Sequence, residues 1–263
     1  MLTHPLLGKL KQLRLSGMLE TMAAREELAR TTHLSCTEFL ALLLDDEIER
    51  RRQTRLLRQE QAAGFECPRR LSQFDFSAAP TLDRAHVLEM ASCQFIARHE
   101  NWLICGPTGT GKSHLATAIG YEAIRQGMRV VSGHTHHLAA DLIAGRSDGS
   151  HARRLNKLVA CELLILDDFG LRPFSPSGAE EMYELIRRRY ERGSIVLTSN
   201  RAPEEWPAVF GDGLLASAAL DRLTHHAHVT CIEGVSYRQR GRTGQPRERS
   251  YDASEGGGHA PAA

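Results

Sequence analysis

The segment Gly106-Pro107-Thr108-Gly109-Thr110-Gly111-Lys112-Ser113 fits the pattern G-x-x-x-x-G-K-[ST], whose residue types suit one task, the holding of a polyphosphate. Glycines let backbone N–H groups turn inward around phosphate oxygens, and a helix starting near Lys112 adds the positive end of its dipole. Lys112 then reaches the terminal phosphates, and Ser113 offers its hydroxyl to Mg2+. A nucleotide hydrolase also needs a carboxylate on a neighbouring strand to hold the magnesium shell. The run Leu163-Leu164-Ile165-Leu166-Asp167-Asp168 supplies one where a strand meets solvent, which makes Asp167 the expected Mg2+ residue. Asp168, one position on, points elsewhere and is either the group that orients the attacking water or a turn aspartate. A further run ends in Thr198-Ser199-Asn200, a polar tip able to hold water beside a γ-phosphate.

Such residues need a rigid frame. Short apolar runs at 102–105, 130–132, 163–166, 195–198 and 229–232 alternate with helical stretches, so they predict strands joined by right-handed crossovers into a parallel sheet covered on both faces, an α/β nucleotide-binding fold. Asp83 caps a predicted helix whose face is Val87, Leu88, Ala91 and Phe95. Ahead of this part, leucines and methionines recur at three- and four-residue steps over 6–22, which predicts one amphipathic helix. Ser35 with Glu38 forms a capping-box pattern before the run 39–44, and a longer helix follows through Leu57. Periodicity breaks between Gly64 and Pro80. The expected division is a small all-α N-terminal domain over 1–75, an ATPase domain over 76–236 and a Gly-, Arg- and Ser-rich tail over 237–263 with too few apolar residues to pack.

Composition bounds the function from outside. With 33 Lys+Arg against 32 Asp+Glu the net charge is +1, which excludes a polybasic binder held to nucleic acid by bulk charge alone. The 263 residues are 41% hydrophobic and 25% charged, ordinary for a globular protein, and no apolar run approaches the ~20 residues of a membrane span. Residues 1–15 lack the order of a secretory signal, so a cytoplasmic protein is expected. Cys36, Cys67, Cys93, Cys105, Cys161 and Cys231 contain no C-x-x-C pair and read as buried reduced thiols. His134, His136 and His137, and likewise His225, His226 and His228, lack typical ligand spacing and read as surface or interface polarity ahead of metal binding.

Taken together, the phosphate loop, Asp167-Asp168, Thr198-Ser199-Asn200 and Leu220-Asp221-Arg222-Leu223-Thr224-His225-His226-Ala227 resemble AAA+ ATPases of the IstB/DnaC group, the nearest branch being the ATP-binding helpers of insertion-sequence transposition. The resemblance spans roughly 6–237, including the Phe74-Asp75-Phe76 junction. It implies an AAA+ P-loop core whose five strands lie in the order 5-1-4-3-2, with ATP and Mg2+ as ligands and a ring or helical homo-oligomer on double-stranded DNA that engages the transposase of the same element. It also implies that Asn200 senses the γ-phosphate and that Arg222 is a finger reaching the neighbouring copy's γ-phosphate, so that Lys112, Asp168, Asn200 and Arg222 form the catalytic set. For Arg222 an ion pair with Asp221 or Glu233 stays open, and Arg238 stands where another nucleotide-sensing arginine is found. A DnaC-like helicase loader, a monomeric P-loop kinase or phosphotransferase and a nucleotide-gated scaffold are the alternatives.

Phosphate contacts to DNA need positive charge repeated on each subunit more than a large net charge. Arg50, Arg51, Arg52, Arg55 and Arg58 on the second helix, and Arg146, Arg153, Arg154 and Lys157 ahead of the Asp167 strand, are the candidates. For the first group a solvated face balanced by Asp45, Asp46, Glu47 and Glu49 is an equal reading. Arg187-Arg188-Arg189, on a helix expected to be capped by Ser177 and Glu180, reads as a solvated face. No base-reading motif is present, so weakly selective binding is expected.

Overall fold

The leucine pattern over 6–22 folds as two helices, α1 (Pro5–Gln12) and α2 (Ser16–Thr32), in a computed structural model that describes residues 5–234, 236 and 237. The chain reverses where Arg14 takes φ +57°, and the turn is closed by the N–H of Leu15 donating to the Leu10 carbonyl. Neither glycine nor proline marks that turn, so periodicity alone predicts a continuous helix. Breaking there lets Leu10, Met18 and Met22 converge on Leu43 of α3 (Cys36–Ala63). The capping box at the start of α3 is present: the N–H of Glu38 donates to Ser35 Oγ at 3.3 Å, and the N–H of Ser35 donates to the Glu38 carboxylate at 2.8 Å.

That small core is reinforced by charge. Arg25 of α2 donates to both oxygens of Asp46 on α3, at 2.8 and 2.6 Å, and this forked contact holds the Asp46 carboxyl down to about 2. Glu47 is buried and accepts the Gly17 N–H at 2.6 Å and a bond from Arg51 at 2.6 Å.

The irregular stretch after Gly64 is packed. Two short 3-10 turns, Leu71–Gln73 and Phe76–Ala78, punctuate it, and Phe65, Leu71, Phe74 and Phe76 lie against the same core that takes up Ala63. The carboxylate of Asp83 caps α4 (Arg84–Ala91), accepting from the Ala85 N–H at 2.8 Å. The expected apolar face holds for Val87 and Phe95 but not for Leu88, which is exposed; Met90 takes its place, and the helix stops at Cys93, where φ is +59°, before α5 (Gln94–Ala97).

The remaining elements are β1 (Asn101–Cys105), α6 (Lys112–Arg125), β2 (Val130–His134), α7 (Thr135–Ser147), α8 (His151–Ala160), β3 (Leu163–Phe169), α9 (Pro176–Arg189), β4 (Ser194–Ser199), α10 (Pro207–Phe210), α11 (Gly213–Thr224) and β5 (Ala227–Cys231). All strands are parallel and ordered β2-β3-β4-β1-β5, the expected 5-1-4-3-2 read from the other edge. Alternate strand residues serve opposite faces. Leu103, Leu164, Leu166, Ile195 and Leu197 join α7 to α11, whereas Trp102, Ile104, Leu163, Ile165 and Val196 join α4, α6 and the end of α3. The central strands β1, β3 and β4 are buried on both sides and read as unbroken apolar runs, whereas the edge strands β2 and β5 are only partly buried.

Three local expectations are corrected. The cap of α9 is Ser175, whose hydroxyl accepts from the Gly178 N–H at 3.2 Å with Pro176 in the first helical position; Ser177 and Glu180 take no part. Arg187 and Arg188 share Glu184 on the surface, but Arg189 is buried and donates to the carbonyls of Leu158 (2.6 Å), Cys161 (3.0 Å) and Ser194 (2.6 Å), tying the end of α8 to the start of β4. Only Cys93, Cys105 and Cys161 are buried; Cys36, Cys67 and Cys231 are exposed because they lie at a helix start, in a loop and on the edge strand. Among the described residues no helix is long and apolar enough to cross a membrane. Arg238 and the rest of the tail lie outside the described residues.

Candidate nucleotide-binding site

At the end of β1 the backbone must make a turn that side chains forbid. A Cβ on Gly106, where φ is +142°, would stand 2.2 Å from the Ile232 carbonyl oxygen, and one on Gly109, where φ is +86°, would stand 2.1 Å from Ser236 Oγ. The N–H of Tyr237 donates to the Gly109 carbonyl at 2.9 Å, so the chain beyond β5 braces the loop. From this loop α6 begins at Lys112, whose buried Nζ donates to the Pro107 carbonyl at 2.8 Å.

Ser113 Oγ donates to Asp167 Oδ1 at 2.8 Å, so residues 54 positions apart meet across the β1 and β3 tips. The same carboxylate oxygen accepts from Thr198 Oγ1 of β4. The buried hydroxyl of Thr135 donates to the Asp167 carbonyl at 2.9 Å, which fixes the backbone as well as the side chain. Two hard oxygen groups side by side, a hydroxyl and a carboxylate, are the donor set that a magnesium ion requires.

Asp168 turns the other way. The register between β3 and β4 shifts between Leu166 and Phe169, Asp168 has φ +54°, and its N–H donates to Thr198 Oγ1 at 3.1 Å. Its carboxylate lies 3.4 Å from His134 Nδ1, and His134 Nε2 lies 2.9 Å from Glu66 Oε1. One imidazole therefore bridges the Asp168 carboxylate to the segment that leaves α3. His134, read from its sequence context as surface or interface polarity, is partly exposed and lines the nucleotide cavity. The missed signal is topological: His134 pairs in register with Asp167, and the carboxyl ends of adjacent parallel strands share one edge of the sheet. The neighbouring histidines divide. His137 packs edge-on against His134, while the His136 ring lies 4.9 Å from that of Phe174, and burial foremost, with Arg172 nearby, holds its imidazole below the ordinary range.

These groups open on a cavity of about 680 Å³ lined by loop residues 108–113, His134, Asp167, Asp168, Asn200, Tyr237 and, from the irregular segment, Arg69, Phe74 and Asp75. Lys112, Ser113, Asp167, Asp168 and Asn200 are thus brought together. Arg222 is not. Its Nη1 donates to the Ala218 carbonyl at 2.5 Å, its guanidinium lies 5.8 Å over the Tyr183 ring, and it lines a separate hollow with Arg189, Tyr190, Glu191 and His226. Neither expected intramolecular partner, Asp221 or Glu233, forms an ion pair with it among the described residues. Cys105, beneath the loop, has its thiol pushed up to about 12 by burial, which holds it as an inert thiol.

The basic candidates separate too. Arg50, Arg51, Arg55 and Arg58 line a second cavity of about 490 Å³, joined by Arg14, which the sequence did not single out because the turn that carries it was not predicted. Arg52 faces away and lies 4.0 Å from Glu49. Arg154 is engaged by Asp141 and by Asp148 at 2.6 Å, and the exposed Arg146 by the buried Glu181 at 2.5 Å, so of that group Arg153 and Lys157 are exposed without an ion pair among the described residues.

Comparison with known proteins matches residues 8–244 to the family described as IstB-like ATP binding protein. A Mycobacterium tuberculosis protein named for ATP binding and for an insertion sequence is 38% identical over 237 residues, 90% of this chain and 94% of its own. A Pseudomonas aeruginosa protein named for ATP binding and for insertion sequence IS21 is 38% identical over 233 residues, 89% of this chain and 87% of its own. Among solved structures, a DNA replication initiation factor superposes with a TM-score of 0.54 at 24% identity over 66% of this chain and 52% of that one, so the chain spans about half of that structure and shares its fold.

Proposed function

The chain belongs to the IstB-like ATP binding protein family, and from that premise we propose that it hydrolyses ATP as an AAA+ regulator, oligomerises on double-stranded DNA and assists the transposase of its insertion sequence in the cytoplasm. The observation that carries the hydrolytic reading is the convergence of Lys112, Ser113, Asp167 and Asp168 on one cavity beneath a glycine loop. In this reading the loop amides and Lys112 hold the phosphates, which exchanges the Lys112–Pro107 contact for a triphosphate. Mg2+, held by Ser113 and Asp167, would supply the positive charge that the β- and γ-phosphate oxygens need. Asp168 accepts the proton of the attacking water, with His134 and the Thr198 hydroxyl holding its position, and Asn200 orients the γ-phosphate from the tip of β4.

Arg222 lies outside this chain's own cavity, and that supports a role toward a neighbouring copy, where such a finger is worth about 10³ to 10⁵ in rate. The arginine hollow on α1 to α3 supports contact with DNA phosphates. Phosphate release measured with and without duplex tests the whole reading. Lys112→Ala should abolish turnover, and Arg222→Ala should abolish only the DNA-stimulated part; turnover that ignores both DNA and Arg222 would instead mean a monomeric phosphotransferase.

A further inference from the structure

Two clusters among the described residues have the side chains of a metal site. One, His134 with Asp167 and Asp168, belongs to the nucleotide cavity; the other is Glu191, His225 and His226, with one potential ligand atom from each lying within 4.8 Å of the others. We propose that Glu191, His225 and His226 bind a borderline transition-metal ion of the zinc class.

The donor set is the first reason. Two imidazoles and one carboxylate suit Zn2+ and its neighbours, whereas Mg2+ prefers the all-oxygen pair at the nucleotide site, so the two sites select different ions. Three protein ligands leave a fourth position for water. The fold is the second reason. Glu191 sits in the turn after α9 with φ +57°, a conformation that non-glycine residues seldom adopt, and His225 and His226 link α11 to β5 with ring centroids 4.0 Å apart. All three side chains are exposed, so a metal can enter and the rings can rotate to close the last distance.

The supporting shell is the third reason. Metal-bound histidines hold their other ring nitrogen against a hydrogen-bonding group. Here the Tyr190 hydroxyl is 2.8 Å from His225 Nδ1. With Nδ1–H donating to the Tyr190 hydroxyl, Nε2 of His225 keeps its lone pair for a metal. No ring nitrogen of His226 has a hydrogen-bond partner among the described residues. A bound ion would clip the turn between α9 and β4 to the end of α11, the helix that carries Arg222, and Glu191 and His226 line the hollow that holds Arg222. The site stands apart from the nucleotide cavity, so its test does not depend on ATP turnover.

The test is a calorimetric Zn2+ titration of the tag-free full-length chain, its His226→Ala and Glu191→Gln variants, each also melted with and without Zn2+. We expect the wild type to bind one more equivalent than His226→Ala does, Glu191→Gln to weaken that equivalent at least about tenfold, and Zn2+ to raise the Tm of the wild type more than that of either variant. Both side chains are exposed, so metal-free variants should melt as the wild type does. Identical isotherms for the three proteins, or no binding by the wild type, would overturn the proposal.

Discussion

The helical region α1 to α3 and the sheet domain are built on different principles. The sheet domain buries an unbroken apolar layer on each face, with Trp102, Leu103, Leu164, Val196 and Trp206 fully inaccessible. The helical region buries only Leu10, Met18, Met22 and Leu43 as a cluster and makes up the difference with Arg25–Asp46 and with Glu47 under the start of α2. Apolar burial carries no titratable charge and is insensitive to pH, whereas paired charges respond to pH and are screened by salt. The domain that carries the nucleotide cavity is fixed by packing, and the region that displays five arginines on one concave face is held by contacts that solution conditions can loosen.

That contrast can be broken from either side. The largest effect is expected in the sheet domain: Trp206→Ala removes a buried indole that packs on Phe169 and donates to Ser199 Oγ at 3.1 Å, and should cost about 3–5 kcal/mol in urea unfolding. Glu47→Ala leaves the Gly17 N–H unpaired and should cost about 1–3 kcal/mol, with faster amide exchange confined to α1–α3 and unchanged nucleotide affinity. A loss that spreads to the β1 and β3 amides would show that the two regions unfold as one.

Acid sharpens the comparison further. Asp46 titrates at about 2 in the fold against its ordinary 3.8, so the stability it contributes is complete above pH 4 and is lost as pH falls toward 2. The protection factors of the α2 amides, corrected for the intrinsic exchange rate at each pH, should fall over that window in the wild type, and Asp46→Asn should remove the step. The smallest effect concerns the arginines. Arg55→Ala should lower the slope of log affinity for duplex against log salt by about 1, while Arg52→Ala, which faces away, should leave it unaltered.

How much of this was legible depends on whether the signal was local. The loop 106–113 carries its chemistry in its spacing, and the capping box at Ser35 in two residues, so both were read directly. The turn at Arg14 has no local signature, because it exists only to bring Met18 and Met22 onto Leu43. The same holds for Arg189, a basic residue in a basic run that becomes a buried strut because five carbonyls converge on it from α8, the loop after it and β4.

What the sequence alone determined is the sheet, its five strands and the glycine loop at the end of β1, since apolar runs and glycine spacing act over a few residues and do not need the rest of the chain. Only the tertiary structure decided which charged groups meet. His134 reaches Asp168 and Glu66 because β2 lies beside β3, Glu191 reaches His225 because α9 packs against α11, and Arg222 is left outside its own nucleotide cavity. Electrostatic and coordinate bonds depend on distances across the fold, and no spacing along the chain encodes them.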